Sequence, residues 1–325
     1  MRQTNTNPIT VRASGRLHFG LLAFGAGVAR EYDYGGVGVM VSPPQLVLRI
    51  TVSDAWMAKG RHAERVTQFA SHWSVYHGQP SLPDCCIEVV DSPPMHRGLG
   101  TGTQLALSVA AGLNAWLGRE AESPESLAAS VNRGKRSAIG THGFLQGGLL
   151  VDRGKRPGDR LGNLAERMAL PETWRFVLLS PPDGEGLAGE DEQVAFARLP
   201  AVPREVTQTL IEELETRLLP AARGADFDRF GESLYRYGMA AGRCFAPCQG
   251  GPFASPLLAQ WVAAIRSQGI RGVAQSSWGP TLFALLPSPV AAIQFTQNFC
   301  ARFGLSPDQL VIAAVDNHGA RLECE

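Results

Sequence analysis

Three glycines fall within five positions in RGLGTGTQLALSVAAGL, residues 97–113, and the run passes straight into an apolar-periodic helix. A chain uses that much glycine where backbone approaches something closely or adopts conformations that a side chain forbids. A glycine-rich turn feeding a helix N-terminus leaves unpaired N–H groups pointing outward, and the helix dipole adds positive potential there. Together they make an anion site. Gly98, Gly100 and Gly102 supply the loop, and Thr101 and Thr103 add hydroxyl donors that can also cap the helix. The spacing is not a Walker A motif, because no Gly-Lys-Ser/Thr follows, and its glycines do not match the Rossmann fingerprint. The same residues also read as a tight turn with a threonine cap. The loop alone therefore leaves open whether ATP, another phosphorylated compound or nothing sits on the helix end.

The elements that must position this loop read as a mixture of strands and helices. ITVRASGRLHFGLL, YGGVGVMVS, QLVLRITVS and CIEVVDS alternate as strands. Residues 61–77 read as a helix. The helix after the loop carries Leu105, Val109, Leu113 and Trp116 on one face and stops at Gly118. SPESLAASVNRG starts a short helix with Ser123 as cap and Pro124 in the first turn. GGLLVDRG returns as a strand. Beyond Arg160 the strands WRFVLLSPP, TLFALLP and LVIAAVD are interleaved with helices at about 204–219, 226–242, 256–268 and 289–303. The pattern resets near 160–172, which divides the chain into residues 1–165 and 166–325. A chain of 325 residues suits two domains of roughly 100–200 residues each.

Bulk composition excludes several classes. Lys plus Arg and Asp plus Glu both number 30, so the overall surface offers nucleic acid no advantage. No apolar run is long enough to span a bilayer, and the polar start MRQTNTNPIT lacks the apolar core of a signal peptide. The cysteines at 85, 86, 244, 248, 300 and 324 have neither zinc nor redox spacing. These features predict a cytoplasmic protein with reduced cysteines and small-molecule partners, without nucleic acid or membrane.

PPMHRGLGTGTQLA resembles the second motif of the GHMP kinase superfamily, whose Gly-Leu-Gly loop wraps nucleotide phosphates. SGRLHFGLL and YGGVGVMV are similar to its first strand pair, and GVAQSSWGPTLFAL stands in the place of its third motif. The resemblance implies an α+β, GHMP-kinase-like fold, with a ribosomal protein S5 domain 2-like N-terminal domain and a ferredoxin-like C-terminal domain. GRLHFGLL, YGGVGV, GLGTGTQLAL, RGKRSAIGTHGFLQGGLLVDRG and QSSWGPT, in that order, resemble more narrowly the β-ribofuranosylaminobenzene 5′-phosphate synthase family. That family implies a decarboxylating pentosyl transfer in tetrahydromethanopterin biosynthesis. Phosphoribosyl pyrophosphate (PRPP) condenses with a 4-substituted benzoate, 4-aminobenzoate or 4-hydroxybenzoate, with loss of carbon dioxide and pyrophosphate. It also implies a homodimer. Two departures from the kinases agree: Gly140 of SAIGT stands where mevalonate-type kinases carry a catalytic Asp, and Trp278 and Pro280 replace glycines of the third motif.

Such a reaction develops positive charge on the anomeric carbon and negative charge on the departing pyrophosphate, which calls for preorganised N–H donors and a metal. The loop Gly98–Gly102 with Thr101 and Thr103 fits the pyrophosphate. Mg²⁺ is the expected ion, because it binds phosphate oxygens and keeps its water. Arg133, Lys135 and Arg136 are expected to clamp the 5′-phosphate. Arg16 and His18 share one face of the first strand by period two and are assigned to substrate-anion or proton handling. Gln275, Ser276, Ser277 and Trp278 are the second-half candidates, with Trp278 stacking on the aromatic ring or packing beneath it. The acidic turn PPDGEGLAGEDE offers Glu192 as a metal carboxylate, and Arg30, Tyr32 and Tyr34 are expected at the rim. Each assignment has a plainer counterpart: a core histidine, a buried Trp, a solvated loop. Two other functions fit the same motifs, an ATP-dependent small-molecule kinase and a non-catalytic ligand-binding protein.

Overall fold

In the computed structural model, which describes residues 7–25, 28, 30–181, 194–306 and 309–325, the frame is an antiparallel pair of long strands, β1 (Ile9–Ala23) and β2 (Tyr34–Val52). Alternation sends Ile9, Val11 and Ala13, with Leu46, Leu48 and Ile50 opposite, into one core. Further along, Leu17 and Phe19 join Val37, Val39 and Val41 in a second core. Register shifts between Ser14 and Gly15 and between His18 and Gly20 bend the ribbon between the two. Bulges of this kind re-aim side chains, and Arg16 and His18 lie between them.

The remaining strands are β3 (Met57–Gly60), β4 (Cys85–Asp91), β5 (Leu149–Asp152), β6 (Leu164–Met168), β7 (Arg175–Leu179), β8 (Val273–Gln275), β9 (Leu282–Leu286), β10 (Leu310–Val315) and β11 (Arg321–Cys324). The sheet path runs β11-β1-β2-β10-β7-β9-β8, with β4 and β5 also paired to β2. The sheet is thus continuous across residue 165: β10 pairs with β2 at Val41 and Ser42, and β11 pairs with β1.

Helices α1 (Ala63–Tyr76), α2 (Thr101–Trp116), α3 (Pro124–Ser130) and α4 (Ile139–Gln146) belong to the first half. Trp73 and Trp116 are buried among them, and Trp73 Nε1 donates to Asn114 Oδ1 at 2.9 Å, satisfying the one polar atom of that indole. In the second half α5 (Arg204–Glu213) continues through a π turn, Leu214–Leu218, into α6 (Leu219–Arg223). The helix expected over 204–219 is therefore longer and wider than an α-helix. Leucines at 210, 214 and 218 repeat every four residues, which outruns a 3.6-residue turn; the wider turn keeps all three buried. Helices α7 (Phe227–Arg243), α8 (Pro256–Ser267) and α9 (Pro289–Phe303) follow. The Ser-Pro start foreseen at 123 recurs at 255 and 288, where each serine Oγ accepts the N–H three residues on. The six cysteines are free thiols. Among the described residues no helix is long and apolar enough to cross a membrane.

Candidate functional site

The glycine loop and β1 are joined backbone to backbone: Arg16 N donates to Leu99 O at 2.8 Å. Gly98 and Gly100 have φ of +81° and +73°, in the left-handed region that favours glycine. A Cβ at Gly98 would lie 2.6 Å from Ser276 O, so the loop also rests on the 276–279 turn of the second half. Gly100 is the N-cap of α2 and bears no side-chain cap; Thr101 Oγ1 donates instead to Pro94 O at 3.2 Å. The expected threonine cap is therefore corrected: the left-handed glycine turns the chain into the helix, and the hydroxyl braces the preceding prolines. The first N–H groups of α2 point out of the helix as at any N-terminus.

Two guanidiniums flank that helix end. A Cβ at Gly102 would lie 3.6 Å from Nη2 of both Arg133 and Arg65. Both cations lie over the Phe69 ring, at 5.0 and 5.8 Å from its centroid. Arg65 was not foreseen, because it sits on α1, far from any glycine motif. Thr103 packs its methyl toward Gly140, and Gln104 Nε2 donates to Gly140 O at 3.0 Å, so α4 closes the same corner. Lys135 is exposed, and its carbonyl takes Lys155 Nζ at 3.1 Å. Arg136 lies 4.7 Å over the Phe196 ring.

Phe196 belongs to an aromatic cluster with Phe24, Phe245, Tyr34 and Trp278. Half-buried Trp278 packs 5.2 Å from Phe245 and edge-on to Phe196 at 5.8 Å. Arg136 thus links the cationic segment 133–136 to the aromatic cluster. Arg30 donates to Phe24 O, Gly25 O and Val202 O and pairs with Asp33 at 2.7 Å, which makes it a structural clasp. Tyr32 lies beneath Arg156 at 5.0 Å.

His18 stands where these parts meet. Its N–H donates to Ser276 Oγ at 3.0 Å, and its carbonyl accepts Ser277 N at 2.7 Å. Ser277 sits at φ +57°, strain held by that bond and characteristic of functional turns. Gln275 braces the turn, taking Ala254 N at 2.7 Å and donating to Ser277 O at 3.2 Å, so its side chain ties the turn to the segment before α8. His18 Nε2 lies 3.1 Å from Ser137 Oγ. Burial and the neighbouring Arg16 hold the imidazole well below its usual pKa, in the neutral form. Asp152, fully buried, accepts Ala138 N at 2.6 Å and Gly154 N at 2.8 Å. Burial raises its pKa, opposed by these bonds and by Ser137. The sequence shows no carboxylate just after Gly140; the fold brings Asp152 onto the N–H of Ala138, two residues before it, across the α4–β5 turn. Asp183, Glu185, Glu190, Asp191 and Glu192 lie outside the described residues. Among the described residues no cluster of three acidic, His or Cys side chains could hold a metal.

The fold is that of the GHMP kinases, as the motifs implied. A homoserine kinase from Cytophaga hutchinsonii superposes with a TM-score of 0.65 at 17% identity, over 99% of both chains. A mevalonate diphosphate decarboxylase from Staphylococcus aureus does so with 0.65 at 13%, over 98% of both. Within this class the chain is similar along nearly its whole length to β-ribofuranosylphenol 5′-phosphate synthases, bearing out the narrower resemblance. It is 27% identical to that of Archaeoglobus fulgidus over 97% of this chain and 99% of the relative. To that of Methanothermobacter thermautotrophicus it is 26% identical over 85% and 88%. No protein-family model matches the chain.

Proposed function

We propose that the protein is a pentosyltransferase that condenses PRPP with 4-hydroxybenzoate or 4-aminobenzoate to a C-riboside 5′-phosphate, releasing carbon dioxide and pyrophosphate, as a cytoplasmic step of tetrahydromethanopterin biosynthesis. The observation that carries this reading is the near end-to-end similarity to synthases whose name specifies a ribofuranosylphenol phosphate product. That name favours 4-hydroxybenzoate as the acid. The GHMP fold by itself does not choose, since proteins named as kinases and as decarboxylases share it.

In this reading pyrophosphate lies on the N-terminus of α2, with Arg65 and Arg133 beside it. N–H groups fixed before the reaction stabilise the charge that develops on the leaving oxygens without reorganisation. Arg136 lies over Phe196, which packs edge-on to Trp278, and this suits a cation facing a carboxylate or the 5′-phosphate beside an aromatic ring. The apolar wall favours loss of carbon dioxide, because a carboxylate taken out of water is poorly stabilised there. The donor set fits Mg²⁺ carried in by the pyrophosphate oxygens rather than a protein cage, since that ion needs few protein ligands. The metal would neutralise leaving-group charge. The assembly is taken as a homodimer, which sedimentation reads directly.

The test is release of labelled carboxyl carbon from either acid with PRPP and Mg²⁺. No release from folded protein, with ADP formed from ATP and an alcohol instead, would move the assignment to the kinases.

A further inference from the structure

We propose that His18 Nδ1 is the proton acceptor for the 4-hydroxyl of the aromatic acid, held in that role by Ser137 and Asp152 as positioning residues. The inference deepens the synthase reading and rests on it.

The hydrogen-bond chain assigns the tautomer. Ser137 Oγ takes Ile139 N–H at 3.2 Å, lies 3.1 Å from His18 Nε2, and is hydrogen-bonded to the Asp152 carboxylate. A hydroxyl has one hydrogen, and each Asp152 oxygen already accepts a backbone N–H, from Ala138 and Gly154, which favours the carboxylate that only accepts. The hydrogen of Ser137 therefore goes to Asp152, and its oxygen faces His18 as an acceptor. The imidazole then carries its hydrogen on Nε2. Nδ1 is left as a bare lone pair, buried and without a hydrogen-bond partner among the described residues. Buried polar atoms are normally paired, so a bare one on a residue that Ser276 Oγ ties to Gly98 wants a donor, and a substrate hydroxyl is one.

The ring cannot easily turn away. Its backbone is held on both sides by Ser276 and Ser277, and a Cβ at Gly36 would come within 3.1 Å of His18 Cε1. Among the described residues the charged groups about it are Arg16 on its own strand and, through Ser137, Asp152. Tyr237, from α7 packed on β1, donates its hydroxyl to Gly20 O at 3.2 Å. The 276–277 turn contributes only neutral groups. Arg16 disfavours the imidazolium, so His18 holds a proton briefly and returns it.

The proton balance closes on that basis. The ring carbon bearing the carboxylate bonds to the anomeric carbon as the bond to pyrophosphate breaks, and pyrophosphate leaves with the electron pair. The 4-oxygen feeds electrons into the ring while its proton passes to Nδ1, giving a dienone. Loss of carbon dioxide returns the carbon–carbon electron pair, and the 4-oxygen recovers its proton from the imidazolium. A 4-amino group needs no such base, because its nitrogen lone pair can push without first losing a proton.

His18→Gln, with folding checked by thermal unfolding, is assayed with both acids and compared with the wild type. With 4-hydroxybenzoate kcat should fall by about 10²–10³-fold, and by far less with 4-aminobenzoate. The residual rate with 4-hydroxybenzoate should climb with pH toward the ionisation of the phenol. Ser137→Ala and Asp152→Asn should give the same selective loss to a smaller degree. An equal loss with both acids, no loss, or a variant rate that does not rise with pH would overturn the proposal, as would a wild type that takes only 4-aminobenzoate. A wild type that takes neither acid overturns the synthase reading itself, and is distinguished by requiring no variant.

Discussion

Ser276 Oγ donates to Gly98 O at 2.6 Å while accepting the N–H of His18 at 3.0 Å, so one hydroxyl ties the glycine loop of the first half to a turn 178 residues away. The contact is close elsewhere too: a Cβ at Gly279 would fall 2.6 Å from Gly98 Cα. Ser276→Ala leaves a buried backbone carbonyl and N–H without their partner. It should cost about 1–3 kcal/mol of stability and loosen the anion corner, seen as a lower Tm with weaker PRPP binding. A lower Tm with PRPP binding intact would mean that the turn holds the fold but not the site.

Gly100→Val acts on the same corner through a different term. The residue sits at φ +73°, and its added Cβ would meet Arg16 Cβ at 3.3 Å and Nε at 3.4 Å. A β-branched residue in that region costs about 1–3 kcal/mol, and relief requires either Arg16 or the start of α2 to move. Calorimetry with PRPP and Mg²⁺ should record at least about a tenfold loss of affinity, equivalent to about 1.4 kcal/mol. Unchanged affinity would assign the loop another job.

Much of this was legible in the sequence because it is local. Glycine spacing gives the left-handed turn into α2, period two puts Arg16 and His18 on one face, and the Ser-Pro start at 123 gives its helix a cap. What was not legible depends on long-range pairing. Asp152 reaches Ala138 only because β5 lies on β2 and turns α4 back over it. Arg65 reaches Gly102 only because α1 packs on α2. Thr101 looked like a cap because its position suits one, but the left-handed Gly100 had already turned the chain. The π turn at Leu214–Leu218 was foreshadowed by the four-residue leucine repeat, read there as an ordinary helix.

Trp278 separates ring recognition from phosphate recognition. It packs on Phe245 and Phe196 but stays half-buried, leaving surface for a planar ligand. Trp278→Ala should cost about 2 kcal/mol of stability, less than the roughly 3–5 kcal/mol of a fully buried Trp. It should raise KM for the aromatic acid by about tenfold or more, as loss of one stacking contact of about 0.5–1.5 kcal/mol plus its buried area implies, with KM for PRPP nearly unchanged. Equal effects on both substrates would place the indole beneath the site as packing.

Acid should destabilise the protein through His18. Burial first, and Arg16 second, hold its folded pKa well below 6.5. As pH falls through about 6.5 the unfolded imidazole takes up a proton that the folded one refuses, so the unfolded state binds more protons and stability declines. The slope is at most about 1.4 kcal/mol per pH unit until the folded value is reached. Asp152 acts with the opposite sign and in a lower window, because burial raises its pKa above 3.8 and protonation there favours the folded chain. His18→Gln has no group to protonate. Whatever stability separates it from the wild type near pH 7.5 should therefore shift in its favour by about pH 5.5. Parallel Tm curves for the two proteins would show that the folded imidazole protonates as readily as the unfolded one, and would remove the neutral base on which the proton transfer depends.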